Sequence, residues 1–278
     1  MLLTYAVASV PLVKTISQAG TDPYPKVSAI TSVTDTVHSI GDFYTSLSRH
    51  SVAGHALMKG PFLRPLVGES RSNLTDKIAP TQWMCLDFDG FVGNINDVLI
   101  ELGLHNVDYI VQYSASQGIK PGLNAHYFFT LDKPIAPTEL KRWLQWQNLH
   151  CNALSPYVLL NKSGTALKYP LDIVTADNSR MLYIGAPQFV APMVDPLASQ
   201  PRIQLVRGTV RDASIGSIPS ELVLRRRIAA IITALQPPGV PNPQRLIWSK
   251  CTELGEDVAS PTVAAKVTGV NDNPGSDF

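Results

Sequence analysis

The chain has 278 residues, 45% of them hydrophobic, enough apolar material to fill the core of one large or two small domains. Its 23 Lys and Arg against 22 Asp and Glu leave a formal charge of +1, which excludes nucleic-acid binding by bulk charge and requires any such contact to come from a local patch. Cys85, Cys151 and Cys251 are odd in number and widely spaced, with no CxxC pair and no His at zinc-finger spacing. Neither a disulfide framework nor a zinc finger is expected, and the thiols read as reduced and buried in a cytosol-like compartment.

The first segment, "MLLTYAVASVPLVK", is apolar but lacks a basic n-region and a small-residue cleavage site, and is too short to span a bilayer. It reads as a core segment of a soluble protein. From Thr21 to Pro80 short apolar patches alternate with Ser, Thr, Gly and Pro, as in a flank packed onto a main sheet. Its best helix candidate is "DTVHSIGDFYTSLSRHSVAGHALM", with Phe43, Leu47 and Leu57 near helical spacing. "WMCLDF" reads as a buried strand. "NINDVLIELGL" carries Ile95, Val98, Leu99 and Leu102 at i, i+3, i+4 and i+7, with Asn94 as N-cap and Gly103 near the end, which predicts a helix. "DYIVQYSA" predicts a strand, "SQGIKPGLN" a loop and "AHYFFTLD" another strand. "APTELKRWLQWQNLHC" predicts an amphipathic helix capped by Thr138, burying Leu140, Trp143, Leu144 and Leu149. "PYVLL", "PLDIVT" and "SRMLYIG" predict short strands, and "SELVLRRRIAAIITAL" a helix with Ser220 as N-cap. The Pro- and Asn-rich end predicts a linker or tail. The expected division is residues 1–212, 213–236 (a helical segment) and 237–278 (the tail).

Three features carry chemistry. Asp87 and Asp89 end an apolar strand and, two residues apart, point to one face. Unneutralised carboxylates there would be costly, and a hard divalent cation such as Mg2+ or Mn2+ would relieve that cost, although a D-x-D can also merely cap a turn. His126 follows a loop carrying Ser114, Ser116 and Lys120, residues able to receive phosphate through backbone N–H groups, hydroxyls and charge. No Walker loop occurs. Asp172 is a third acid in an apolar run, with Asp177 and Arg180 in the turn that follows.

In this order "LDFDG", "NAHYFF" and "PLDIVT" resemble the D-x-D, s-x-H and apolar-[D/E] motifs of the archaeo-eukaryotic primase superfamily, in particular the primase-polymerases of phages and plasmids. The resemblance covers about residues 40–190 and departs where Asn124 stands at the usual Ser of s-x-H. It implies a mixed α+β fold, with an N-terminal α/β module packed beside a sheet related to the RNA-recognition fold and a small C-terminal helical segment. It further implies template-directed nucleotidyl transfer, with residues 1–212 as the catalytic domain. Asp87, Asp89 and Asp172 would hold two divalent cations, Mg2+ or Mn2+. His126, with Ser114, Ser116, Lys120 and Arg180, would contact the nucleotide's phosphates. The implied partners are a single-stranded DNA template, nucleoside triphosphates and a replicative helicase, on a separate chain or in a C-terminal module, with no membrane. The implied setting is cytoplasmic, that of the host if the chain is phage-encoded. Arg225, Arg226 and Arg227 would touch template phosphates or simply form a solvated helix face. Two rival readings stand beside this one. "CLDFDGFV" also resembles the first motif of haloacid-dehalogenase-type phosphatases, with Asp87 as nucleophile, and a non-catalytic replication-initiator module would use the acids otherwise.

Overall fold

The structure, a computed structural model, describes residues 1–236. The tail expected over 237–278, and Cys251 with it, lies outside the described residues. In chain order the elements are β1 (Leu2–Val7), β2 (Thr15–Ser17), β3 (Gly20–Thr21), β4 (Thr31–Thr36), α1 (Ile40–Val52), β5 (Ala56–Met58), β6 (Thr81–Phe91), α2 (Ile95–Glu101), β7 (Tyr109–Tyr113), β8 (Leu123–Ile135) and α3 (Pro137–His150). Then follow β9 (Leu159–Leu160), β10 (Leu167–Lys168), β11 (Met181–Tyr183), β12 (Gln188–Phe189), β13 (Ile203–Val206) and α4 (Glu221–Leu235), with 3-10 turns at Ser155–Tyr157 and Ile173–Ala176. The chain is mixed α+β, and among the described residues no helix is long and apolar enough to cross a membrane.

Two compact units are present. Among the described residues, the smaller comprises Leu159–Lys168 and 222–236: a β9–β10 hairpin and most of α4, which buries Leu224 and Ile232 and exposes Arg225, Arg226 and Arg227. The larger, Met1–Val158 with Tyr169–Glu221, holds two four-stranded antiparallel sheets, in the orders β11-β5-β1-β4 and β13-β7-β8-β6. In the second sheet β6 and β7 both run antiparallel to β8 and are joined through α2, so they form a split β-α-β unit with β8 between them. An isolated antiparallel bridge between Phe88 and Leu171 returns the chain after α3 to the other edge of β6.

The two-residue period of β6 sorts its side chains. Met84, Leu86 and Phe88 join a core with Val98, Leu99, Trp143 and Leu144 of α2 and α3. Trp83 and Cys85 point the other way, into a core shared with Leu3 and Tyr5 of β1, Phe43 and Leu47 of α1, and Phe128 of β8. The second face is the one that continues into Asp87 and Asp89.

Local chemistry sets several boundaries. The long helix expected around Phe43 is confined to α1: Ser39 accepts from the Asp42 N–H at 3.1 Å to start it, and Gly54, at φ +70°, ends it. Leu57 is therefore in β5, where it is equally buried. Helix α2 is capped by Asn94 as expected, through the Asn96 N–H at 3.0 Å. Helix α3 buries its expected stripe, but its N-cap is Ala136 rather than Thr138, because Pro137, with φ already preset for a helix, takes the first helical position. "PYVLL" splits into a 3-10 turn and the two-residue β9, and "PLDIVT" is a 3-10 turn rather than a strand.

Just beyond the acids β6 slips register between Asp89 and Phe91. Gly90 takes φ +73° in this bulge and Gly122, at φ +78°, packs against it so closely that an added Cβ would lie 2.7 Å from the Gly90 carbonyl carbon. Gly122→Ala should therefore lower unfolding free energy in urea by about 2 kcal/mol or more, through backbone strain plus collision. Gly103→Ala, at φ +70° but with nothing within 4 Å, should cost about 1 kcal/mol. Equal losses would contradict the packing account.

Candidate functional site

The face of β6 carrying the acids opens into a cleft of about 160 Å3 lined by residues of both large sheets. Asp87, Asp89, Ser114, Ser116, Lys120, His126 and Arg180 all line it. Of the eight candidate metal and nucleotide contacts, only Asp172 is not in the lining. It adjoins the cleft through Arg180, whose Nη2 lies 3.7 Å from Asp172 Oδ2.

Antiparallel pairing sets Asp87 directly opposite His126 and Asp89 opposite Asn124. His126 is buried and held from behind by Gln112 of β7. The Gln112 amide donates through Nε2 to the Tyr113 carbonyl at 2.9 Å, which leaves Oε1 to accept from His126 Nδ1–H at 2.5 Å. The other ring nitrogen, Nε2, is thereby aimed at the cleft, 3.4 Å from Asp87 Oδ1.

Asp172 is placed from two sides. Its N–H donates to the Asp87 carbonyl at 3.0 Å. The residue before it, Leu171, exchanges two hydrogen bonds with the fully buried Asn148 side chain of α3, at 2.9 and 3.1 Å. Only Leu171 pairs with β6, because the Asp172 carboxylate captures the Val174 N–H at 2.8 Å and turns the chain into 3-10 geometry. The expected acid is thus next to Asp87, on a turn and not on a strand.

The two acids carry opposite perturbations. Burial tends to raise the Asp87 carboxyl, but the charge and hydrogen bond of His126, and then the charge of Arg180, hold it below the usual carboxylate range. Burial pushes Asp172 up; the Asp87 charge adds to this, while the Val174 N–H and Arg180 offset it only in part. Two neighbouring carboxylates that resist carrying both charges suit a hard cation. Arg180 Nε is buried with no hydrogen-bond partner, a donor toward which an acceptor such as a phosphate oxygen would be drawn. Among the described residues, no three of His, Cys, Asp or Glu are gathered as a metal cage.

Several residues that position or extend the site escaped sequence reasoning. Lys14 and Tyr24, from the N-terminal region, line the cleft with Tyr183 of β11. Tyr24 and Tyr183 stack at 3.6 Å, and Lys14 Nζ sits 4.8 Å from the Tyr24 ring centre. Burial, then the charge of Lys120, push the Lys14 ammonium below its usual range, with Asp89 opposing. Asn124 is fully buried and structural: its Oδ1 accepts from Gly90 N–H at 3.1 Å and its Nδ2 donates to Gly122 O at 3.0 Å. It ties the bulge to the loop, and Ser114 and Ser116 are the serines of the cleft. Only the Asn124 departure from the s-x-H pattern hinted at this; Lys14 and Tyr24 lie too far along the chain for any spacing to mark them. Cys85 lies buried below Asp87 and burial pushes its thiol well up, which makes it a packing residue.

No family model, curated protein or solved structure matches this chain.

The raised carboxyl of Asp172 has a stability consequence. An acid whose pKa is higher in the folded state costs stability when ionised, and the cost disappears as pH falls through the folded pKa. Asp172→Asn should raise the thermal midpoint at pH 7, and the gain should shrink as pH approaches 4. A variant less stable than wild type at pH 7 would contradict the assignment.

Proposed function

We propose that the chain is a nucleotidyltransferase of the primase-polymerase type, acting on nucleoside triphosphates and a single-stranded DNA template. The observation that carries this reading is the cleft itself. It gathers Asp87 and Asp89 on one wall, with Asp172 adjoining, and His126, Lys120, Arg180, Ser114 and Ser116 around them. Acids for hard cations beside cations for phosphates is the charge pattern that a metal-bound triphosphate complements. The split β-α-β connectivity of the sheet bearing Asp87 and His126 is consistent with a sheet of the RNA-recognition type.

Asp87, Asp172 and Asp89 are the residues that would hold divalent cations. When bound, Mg2+ or Mn2+ would supply charge neutralisation and Lewis-acid activation for in-line displacement at a phosphorus centre. The chain's own groups bind and orient. His126, its Nδ1–H held by Gln112, turns Nε2 toward the cleft, where the doubly protonated ring would donate to a phosphate oxygen. Lys14 and Lys120 add charge at the rim, and Arg180, already beside Asp172 with Nε unpartnered, completes the phosphate contacts. Positioning and charge neutralisation account for most of the catalysis such a reaction needs.

The phosphatase reading has less support. It calls for a doubly wound parallel sheet around the D-x-D, whereas β6 pairs antiparallel with β8 and bridges antiparallel to Leu171. It also leaves His126 and its loop without a role.

With Mn2+ or Mg2+, a single-stranded template and nucleotides, the protein should make oligonucleotide products. Asp87→Ala and Asp172→Ala should each reduce synthesis at least about 100-fold, since several kcal/mol of charge stabilisation is lost. His126→Ala should raise the nucleotide KM about tenfold, the size of one charged hydrogen bond. Undiminished synthesis by either Asp variant would overturn the reading, and phosphate release from a simple monoester without nucleotide incorporation would favour the phosphatase.

A further inference from the structure

A second polar cluster lies at the C-terminus of α1, and none of its residues lines the cleft. The run "HSVAGH", His50 to His55, closes the helix with paired backbone bonds: Gly54 N–H to Ser51 O at 3.0 Å and His55 N–H to His50 O at 3.0 Å. This is the Schellman arrangement, in which the residues at the His50 and His55 positions are brought side by side, usually as an apolar contact. Gly54 cannot be replaced, since a Cβ there would lie 2.6 Å from that of Pro11. Here the contact is made by two imidazoles whose Nδ1 atoms face each other at 2.7 Å.

His50 is the fixed partner. It is buried, stacked on Tyr5 with ring centres 3.6 Å apart, and its Nε2 lies 3.2 Å from Asp35 Oδ2. Asp35 is itself held by Ser46 Oγ and Arg49 Nη2, each at 2.5 Å, with Arg49 also 3.3 Å from His50 Nε2. A histidine whose outer nitrogen is turned to a carboxylate, leaving the inner one directed at another imidazole, has the outer-shell arrangement of metal-binding histidines. His55 lies outside the helix and is half-buried.

We propose that His50 and His55 form a two-histidine site for a borderline transition-metal ion such as Zn2+, separate from the hard-cation cleft. Imidazole nitrogens favour Zn2+, Ni2+ and Cu2+ where carboxylates favour Mg2+ and Mn2+. Zinc–nitrogen distances of about 2.0–2.1 Å place tetrahedral ligand nitrogens about 3.3 Å apart, so from 2.7 Å the rings need to part by about 0.6 Å and His55 to tilt until both lone pairs meet at one apex. The facing nitrogens share one proton. Moving that one proton to the Nε2 of its own ring leaves both rings protonated at Nε2, toward Asp35 for His50 and toward solvent for His55, and frees both Nδ1 lone pairs with no net proton loss. Solvent completes the coordination, and the ion staples the end of α1 to the start of β5.

The test is a calorimetric titration of the full chain with Zn2+ in excess Mg2+, which keeps the carboxylates occupied. Wild type should take up one more equivalent than His55→Ala, a variant that keeps its fold because the turn is closed by backbone bonds. Asp35→Asn should retain that equivalent with at least tenfold weaker affinity. The same number of equivalents in wild type and His55→Ala would overturn the proposal, as would unchanged affinity in Asp35→Asn.

Discussion

The antiparallel register of β6 against β8 is the constraint on which the candidate site depends. Because side chains alternate, one register places Trp83, Cys85 and Phe128 in a shared core and Asp87 opposite His126 at the end of the same face. A slip of one residue would send Asp87 into the core beneath α2 and α3 and expose Phe88. The hydrophobic pattern therefore does more than fill space: it decides which acids reach the cleft. The Gly90 bulge ends the pairing just past Asp89, and Gly122 allows the opposing chain to approach there.

Three buried amides do the fine positioning. Gln112 fixes the ring orientation of His126, Asn124 joins the bulge to the loop of Ser114 and Ser116, and Asn148 holds Leu171 so that Asp172 meets the Asp87 backbone. Each is satisfied on both donor and acceptor sides, so burial costs little and rigidity is gained. The charges they position are less comfortable. Asp87 is stabilised by His126 and Arg180, while Asp172 is destabilised by burial and by Asp87. Such a site gives up stability for charge placement, the expected balance where a ligand supplies what the protein lacks.

Much of this was legible in the sequence because it rests on short-range rules. A continuous apolar run marked β6 and alternation marked β8, helical spacing marked α2 and α3, and the D-x-D and His126 followed from those strands. What escaped depends on contacts across the chain. Lys14 and Tyr24 reach the cleft from more than 60 residues before Asp87. Asp172 looked like a strand residue because its neighbours are apolar, and only its own carboxylate, bonding to Val174, converts the run to a turn. Likewise the helix around Phe43 was overextended because apolar spacing continues through Leu57, whereas Gly54 ends the helix and β1 recruits Leu57 as a strand residue.

The central claim is that acids and cations in one cleft hold a triphosphate together with divalent ions. The most direct measurement is calorimetric titration of a nucleoside triphosphate with and without Mn2+, in wild type and in Asp172→Asn. The account predicts at least tenfold tighter binding with Mn2+ in wild type and little or no such enhancement in the variant. Nucleotide affinity that is the same with and without Mn2+ in wild type would contradict it.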